Sequence, residues 1–206
     1  ERWYCGQPTG GAVDAVADAF AWLSRERVPV INVSLVGPPN VTLENVIRIV
    51  NARGHLVVAA VGNDGAAAKP LYPAAYPGVV GVTAVDSRRR ALVEAGRGSQ
   101  VDLAAPGADI AAAGAGQTYA AVRGTSFAAP IVAGLLVAEP HEPDAATAER
   151  ALATLSRQAL DLGSRGRDST YGEGLVGDAL RIELAAAGLV RSEEHTSELQ
   201  SRTLIS

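Results

Sequence analysis

RGTSFAAPIVAGLL, residues 123–136, is the most informative stretch of this sequence, because a serine stands where a tight turn gives way to a wholly apolar run. A helix that is apolar on every side is normally buried in a core. Gly124 lets the backbone turn tightly beside Ser126. The free N–H groups of the first turn and the positive end of the helix dipole then gather around the Ser126 hydroxyl. Such surroundings suit a nucleophile whose attack creates an oxyanion.

Ser126 also has a purely structural interpretation. Serine is among the preferred N-cap residues of helices, where its hydroxyl accepts a hydrogen bond from an N–H group of the first turn. The segment taken alone favours this capping role, so the nucleophile hypothesis depends on other parts of the chain.

The segment GTSFAAPIVAG resembles the Gly-Thr-Ser-x-Ala-x-Pro signature of the subtilisin-like serine proteases, the subtilases, in which this serine is the nucleophile. Further stretches resemble segments of the same family in the same order: VINVSLVGP, VVAAVGNDG, YPAAYPGVVGVTAVDS and VDLAAPGADI. These matches span residues 30 to about 134, and looser similarity extends from about residue 12 to residue 189. The resemblance covers the C-terminal part of the family's catalytic domain.

The overall composition is compatible with one α/β domain. The chain has 206 residues, 48% of them hydrophobic, which is enough for one sizeable core. Its formal net charge of −4 gives no indication of nucleic-acid binding, and no apolar run is long enough to cross a membrane. Cys5 is the only cysteine, so an internal disulfide is excluded. We expect a monomer.

Helical and strand patterns alternate along the chain. Apolar residues at helical spacing predict helices over about residues 12–26 and 43–50, the second capped by Asn40 or Thr42 and ended by Gly54. The apolar runs VPVINVSL and HLVVAAVG on either side of the second helix predict strands buried on both faces. A strand, helix and strand joined in this way form a parallel pair. We therefore predict an α/β fold of three layers, a mostly parallel sheet with helices on both faces, truncated at its N-terminus.

The rest of the chain continues this pattern up to a polar tail. Strands are predicted at VVGVTAV, VDLAA and TYAAV, with later helices at residues 144–159 and 178–189. No linker or repeat divides residues 1–190, which we interpret as one partial subtilase catalytic domain. The string RSEEHTSELQS that follows has no apolar period and resembles the translation of a sequencing adapter, so we interpret residues 191–206 as a non-native tail. Methionine is absent and residue 1 is Glu, which leads us to expect a fragment.

Asn63 is the second candidate catalytic residue. It follows the predicted strand HLVVAAVG, and functional groups of parallel sheets collect at the carboxyl ends of the strands. By itself the pair Gly62 and Asn63 indicates only a turn. The resemblance implies that Asn63 donates its side-chain amide to the oxyanion formed at Ser126.

The resemblance also implies a peptide-binding site built from two strand ends. An extended substrate would pair with their backbone edges, and the side chain before the cleaved bond would occupy a pocket between them. Val36 stands where many relatives have glycine, which would reshape the pocket entrance. The pair Tyr72 and Pro73 resembles a cis peptide bond of the family, although trans is the usual state of an X–Pro bond. The implied substrate-binding residues are Ser34, Leu35, Val36, Gly37, Ala60, Val61 and Gly62.

No residue of the chain matches the base that a serine nucleophile needs. Subtilases supply a histidine from a His-Gly-Thr-His segment and an aspartate from an Asp-Thr/Ser-Gly segment, and neither segment is present. His55 begins a strand and matches no catalytic motif, His141 lies in a polar loop, and His195 falls in the tail. Asp14 and Asp18 lie on the polar side of the first helix. We expect the missing groups to lie upstream in a longer protein, and this chain by itself to be inactive.

The sequence therefore predicts part of a serine endopeptidase that hydrolyses peptide bonds through Ser126, with an oxyanion hole that contains Asn63. The alternative is a subtilase-like pseudoprotease that binds peptides or a partner protein without cleaving them. The chemistry needs no cofactor and no catalytic metal, and the resemblance leaves open whether structural calcium is bound. We expect peptide or protein substrates as partners, and no nucleic acid. By resemblance we expect the parent protein to be secreted or periplasmic.

Overall fold

The fold is known from a computed structural model, which describes residues 12–116, 118–138, 142–182 and 184–189. None of the helices in this part of the chain has both the length and the apolarity needed to cross a bilayer. The elements in chain order are α1 (Val13–Arg25), β1 (Val30–Val33), α2 (Val41–Ala52), β2 (Leu56–Ala60), β3 (Val79–Val85), β4 (Leu103–Pro106), β5 (Ile110–Ala113), β6 (Tyr119–Val122), α3 (Thr125–Leu136), α4 (Ala145–Gln158) and a 3₁₀ turn (Asp178–Leu180).

Strands β1 to β4 form one parallel sheet and are arranged in the order in which they occur in the chain. Val57 of β2 lies opposite Val79 of β3, and Val82 of β3 lies opposite Leu103 of β4. Because parallel strands all end at the same edge, the loops that follow β1 to β4 lie together along that edge. This is the predicted parallel α/β arrangement, and it is confirmed.

Helices cover both faces of the sheet. In β2, Val58 and Ala60 pack in a core with α3 and α4, whereas Val57 and Ala59 pack in a core with α1 and α2. Every residue of β2 is buried, as its continuous apolar run predicts. Successive side chains of a strand point to opposite faces, so one apolar run serves both cores and produces the three layers.

Side chains close to the helix starts explain where the helices begin. Asn40 caps α2 through its Oδ1, which accepts from the Leu43 N–H at 3.1 Å, so it is the cap that is used of the two that were predicted. Asp144 caps α4 in the same way, through the Thr147 N–H at 2.8 Å. Gly54 follows α2 with a φ of 88°, in the left-handed region that glycine adopts without strain.

Strand β1 differs from the prediction that it is buried on both faces. Ile31 and Val33 are buried, but Asn32 between them is exposed. Within the described residues β1 and β4 are the two edge strands of the sheet. The prediction was wrong at Asn32, the one polar residue within the strand. Edge position alone does not expose a strand, because β4 is buried at every residue.

The segment TYAAV is a strand, as predicted, but it does not join the parallel sheet. It forms β6, which pairs antiparallel with β5, so that Ala111 lies opposite Ala121. Strand β5 was missed, because ADIAAAGAG is rich in Ala and Gly, residues that are depleted in strands.

The predicted helix over residues 178–189 is wrong. Of residues 178–182 and 184–189, which the structure describes, only 178–180 are helical, in the 3₁₀ turn, and Arg181, which follows it, is extended with φ −62° and ψ 118°. The Arg181 guanidinium donates to the backbone oxygens of Ala108 and Asp86, at 2.7 and 2.9 Å. These tertiary bonds hold the chain against the end of the sheet and override the local helical pattern.

Candidate active site

Ser126 lies in the first turn of α3, which begins at Thr125 after Gly124. The N-cap residue is Gly124, which has a φ of 137° and no side chain with which to cap the helix. The interpretation of Ser126 as an N-cap is therefore wrong. The half-buried Ser126 hydroxyl instead donates to the backbone oxygen of Ser34 at 3.4 Å. The hydroxyl thus faces the loop after β1, at the carboxyl edge of the sheet.

Pro130 explains a second contact between the same two segments. In an α-helix the carbonyl of residue 126 accepts the N–H of residue 130, but proline has no N–H. The Ser34 hydroxyl donates to the Ser126 carbonyl instead, at 3.0 Å. Asn32 Nδ2 donates to that hydroxyl at 3.1 Å. The spacing of Ser126 and Pro130 contains this signal in the sequence, although the prediction did not use it.

The Asn63 side chain is held against the start of α3. Its Oδ1 accepts from the backbone N–H of Thr125 at 3.0 Å and from the Thr125 hydroxyl at 3.2 Å. A backbone N–H can only donate, so the atom facing it must be the amide oxygen. Asn63 is exposed, and its Nδ2 makes no hydrogen bond within the described residues. Thr125, which the sequence analysis did not single out, therefore holds the Asn63 side chain by its oxygen and leaves its Nδ2 hydrogens available to donate.

The turn that carries Ser126 lies beside this amide. A Cβ placed on Gly124 would stand 3.3 Å from Asn63 Nδ2. The structure thus brings together the two residues that were predicted to be catalytic, although they are far apart in the chain. Their catalytic roles stay predictions.

The segment at the end of β2 is fixed from several sides. Ala60, Val61 and Gly62 are all buried. The Gly62 carbonyl accepts from the Gly96 N–H at 3.0 Å. Gly62 has a φ of 97°, and a Cβ there would lie 2.5 Å from Leu71 Cδ1, so only glycine suits the position. The role of this segment in binding a peptide stays a prediction.

The loop after β1 offers apolar side chains to solvent. Leu35 and Val36 are 52% and 45% exposed. Gly37 differs, because its N–H donates to the Tyr72 carbonyl at 2.8 Å and its carbonyl accepts from the Tyr72 N–H at 3.0 Å. Any backbone pairing with a peptide would therefore fall to residues 34–36. The peptide bond between Tyr72 and the following proline is cis, as the resemblance implied.

An ion pair that the sequence analysis missed supports the same turn. Arg123, which precedes Gly124, donates through Nε and Nη2 to the two carboxylate oxygens of Glu94, at 2.6 and 2.9 Å. The hydrogen bond from Arg123 holds the pKa of Glu94 below its ordinary value. The Glu94 carbonyl accepts from the Gly65 N–H at 2.8 Å, so the pair connects the α3 turn with the loop that carries Asn63.

His55 is the one histidine in the part of the chain that the structure describes. It precedes β2 and lies at the opposite edge of the sheet from the candidate site. Its buried ring bridges the Ser24 hydroxyl, 3.0 Å from Nε2, and the Val28 carbonyl, 2.6 Å from Nδ1. His55 therefore connects α1 with the start of β2. His141 and His195 lie outside the described residues.

The candidate site consists of a hydroxyl, an amide and backbone groups. Asp14 and Asp18 are exposed on α1, as predicted. Across residues 12–189, apart from the short gaps given above, no group of three or more His, Cys, Asp or Glu side chains is placed to hold a metal ion. The described arrangement thus places the Ser126 hydroxyl and the free Nδ2 of Asn63 beside the same turn.

Comparison with known proteins gives a family match and several relatives. The sequence model of the subtilase family matches residues 4–174. The chain is 35% identical to subtilisin BL of Lederbergia lenta over 167 residues, which covers 81% of this chain and 61% of that protein. It is 34% identical over 172 residues to subtilisin Savinase of the same organism, with coverages of 83% and 62%. The chain thus spans about three fifths of the length of these relatives.

The fold is similar to that of a solved structure, the prenylagaramide maturation protease PagA. The TM-score is 0.71, and the match covers 85% of this chain and 69% of that structure. Sequence identity is 23%, so this likeness concerns the fold alone. It agrees with the parallel sheet and its flanking helices.

Proposed function

The chain belongs to the subtilase family, and from this premise we propose that it carries the nucleophile and the oxyanion-stabilising groups of a serine endopeptidase. Ser126 Oγ would attack the carbonyl carbon of a peptide bond, giving a tetrahedral intermediate with a negatively charged oxygen. Asn63 Nδ2 and the backbone N–H of Ser126 would donate to that oxygen, since the Thr125 and Phe127 N–H groups are bonded to Asn63 and Gly124. A general base would take the proton of the Ser126 hydroxyl and give it to the leaving amine. Collapse of the intermediate would then release the neutral amine and leave an acyl group on Ser126, which water would hydrolyse.

The hydrogen bonds between Asn63 and Thr125 carry this proposal. An oxyanion donor is effective when it is oriented before the reaction, because no reorganisation is then needed as the charge develops. Thr125 is fully buried, and it holds the Asn63 amide by its oxygen alone. The donor end, Nδ2, is left beside the turn of Gly124 and Ser126.

We propose that the general base and its orienting carboxylate belong to a part of the protein that this sequence does not include, and that the chain by itself does not cleave peptides. Ser24 and Val28 hold His55 at the far edge of the sheet. A serine hydroxyl without a base is a weak nucleophile. In subtilisin, loss of the catalytic histidine lowers kcat about as much as loss of the whole triad, by roughly 2 × 10⁶.

The proposed substrates are peptides and proteins in an extended conformation. The backbone of residues 34–36 would pair with the substrate by strand addition, and residues 60–62 would form the opposite wall. The exposed Leu35 and Val36 would contact its side chains. No cofactor is proposed for the chemistry. We further propose that residues 1–190 belong to one catalytic domain, that residues 191–206 are a non-native tail, and that the protein is an exported monomer.

A second function is favoured by one observation, the lack of a base near Ser126 among the described residues. A subtilase-like protein without a base would bind peptides or a partner without cleaving them. The same residues 34–36 and 60–62 would then form the binding site, and substitution of Ser126 would leave peptide binding unchanged.

Expression of the complete gene distinguishes the two functions. We expect a fluorophosphonate probe to label Ser126 and casein to be cleaved, and both signals to disappear in Ser126→Ala. The expressed chain of residues 1–190 should show neither. Labelling of another residue, or of none, would refute the assignment of Ser126. Peptide binding without cleavage by the complete protein would establish the second function.

A further inference from the structure

A pocket that includes neither Ser126 nor Asn63 lies near the end of β3. It has a volume of about 370 Å³ and is lined by Ser87, Arg88, Arg89, Asp178 and Arg181. Three arginines and one carboxylate line the pocket, and a second carboxylate, Asp109, accepts from the N–H and the hydroxyl of Ser87 at 3.1 and 2.7 Å. Three positive charges therefore face two negative ones, in a chain whose formal net charge is −4. A local excess of positive charge on an otherwise acidic protein attracts anions.

Asp178 is shared between two of these arginines. Its Oδ2 accepts from Arg89 Nε at 2.9 Å, and its Oδ1 accepts from Arg181 Nη2 at 3.4 Å. One carboxylate thus holds two guanidinium groups together but neutralises only one of their charges. The exposed Arg88 guanidinium makes no hydrogen bond or ion pair in the described part of the chain. Arg88 and Arg89 therefore retain N–H donors for an incoming ligand.

Arg181 contributes a buried positive charge to the pocket. Its side chain is only 7% exposed. The carbonyls of Ala108 and Asp86 accept its Nη1 and Nη2 hydrogens, which satisfies these donors without cancelling the charge. A guanidinium stays protonated in proteins, and burial reduces the screening of its field.

The backbone around the pocket adopts unusual conformations. Arg89 and Asp109 have φ values of 60° and 55°, in the left-handed region that residues other than glycine seldom adopt. Asp86 closes the turn that contains Arg89, because its Oδ1 accepts from the N–H groups of Arg88 and Arg90 at 2.8 and 2.9 Å. The turn places Arg88 and Arg89 next to each other at its tip. Backbone conformations of this kind are concentrated at ligand sites.

We propose that this pocket binds a tetrahedral oxyanion, such as phosphate or sulfate, through Arg88 and Arg89, with Arg181 as the buried positive charge. The N–H groups of a guanidinium match the spacing of two oxygens of such an anion, and adjacent arginines can bind a doubly charged anion together. A carboxylate has one charge and two oxygens, so it binds more weakly. The inference does not depend on the proposed protease activity.

The experiment uses the chain as it stands, with inorganic phosphate as the probe. Binding is followed by ³¹P NMR line broadening and by thermal unfolding through tryptophan fluorescence, in phosphate, sulfate, acetate or chloride at equal ionic strength. We expect phosphate and sulfate to raise the Tm with increasing concentration. Acetate should bind at least about tenfold more weakly, because it offers half the charge.

Variants locate the site. Arg88→Gln and Arg89→Gln should each weaken phosphate binding about tenfold, since each removes a charge-assisted donor pair. Arg48→Gln is the matched control, because Arg48 is exposed on α2 and outside the pocket. Its phosphate affinity should equal that of the wild type. Arg88→Gln keeps the backbone N–H that donates to Asp86, and circular dichroism verifies that the variant is folded.

Several outcomes would overturn the proposal. An equal loss of affinity in Arg48→Gln would mean that phosphate responds only to overall charge. Unchanged affinity in both Arg88→Gln and Arg89→Gln would exclude the pocket. Stabilisation by acetate equal to that by phosphate would contradict the preference for tetrahedral oxyanions.

Discussion

Asn63→Ala should destabilise the protein although Asn63 is exposed, because its amide oxygen is the acceptor for two donors of a buried residue. Thr125 is 0% exposed, and its N–H and hydroxyl would lose an acceptor that lies at 3.0 and 3.2 Å. A buried donor without a partner costs about 1–3 kcal/mol. Truncation at an exposed position lets water reach one of the two donors. We therefore expect a loss of about 2 kcal/mol, roughly a 30-fold change in the unfolding equilibrium.

Asn63→Asp is the matched control for this prediction. Aspartate keeps an acceptor oxygen in the place of Oδ1, and its charge lies at the start of α3, where the helix dipole favours an anion by about 0.3–1 kcal/mol. At neutral pH its free energy of unfolding should equal or exceed that of the wild type. The variant nevertheless lacks the Nδ2 donor. In the complete protease kcat should fall about 10²–10³-fold, a magnitude taken over from the loss of one such donor in subtilisin.

Two assays separate stability from catalysis. Urea unfolding followed by tryptophan fluorescence gives the midpoint and the slope, and an unchanged slope shows that only stability has changed. Peptide hydrolysis by the complete protein gives kcat. The reasoning is refuted if Asn63→Asp is as unstable as Asn63→Ala, because the acceptor would then have no importance. Wild-type kcat in Asn63→Asp would show that Nδ2 does not stabilise the oxyanion.

The remaining predictions concern two contacts that support the α3 turn. Ser34→Ala should lower the free energy of unfolding by about 1 kcal/mol, because the Ser126 carbonyl loses its donor. In a Pro130→Ala background the same substitution should cost nearly nothing, because alanine restores the helical N–H. A double-mutant cycle by urea unfolding measures this coupling. Glu94→Gln should cost at most about 1 kcal/mol at pH 7, because Arg123 is 52% exposed and solvent screens the pair. The hydrogen bond from Arg123 lowers the pKa of Glu94, so the contribution is fully present above the ordinary glutamate pKa of about 4.3 and is lost as the pH falls through the lowered pKa. Unfolding free energies of wild type and Glu94→Gln between pH 7 and pH 3 test this.

Each of these two predictions has an outcome that contradicts it. Additive costs of Ser34→Ala and Pro130→Ala would mean that the hydroxyl does not replace the missing N–H. A difference between wild type and Glu94→Gln that stays constant with pH would mean that the charge of Glu94 contributes nothing.

The sequence by itself determined most of the core. The apolar run of β2 and the cap of α2, predicted at Asn40 or Thr42, depend on residues only a few positions apart. The structure has the buried strand and uses Asn40 as the cap. The run after Ser126 likewise predicted a helix in the core. The helix packs in the core through Ala128, Val132 and Leu136, but its other face is not buried, because Pro130 and Gly134 are exposed. Local patterns of this kind predict the structure well, because the residues that form the pattern are also the residues that make the stabilising contacts.

Only the tertiary structure decided how the candidate site is built. Asn63 meets Thr125 across 62 positions of the chain, and Ser34 meets Ser126 across 92. It also decided that β1 is an edge strand within the described residues and that residues 178–182 do not continue as a helix. The physical reason is the same for these features. Each depends on which distant segments the fold brings together, and a hydrogen bond between two such segments produces no periodic pattern in the sequence of either.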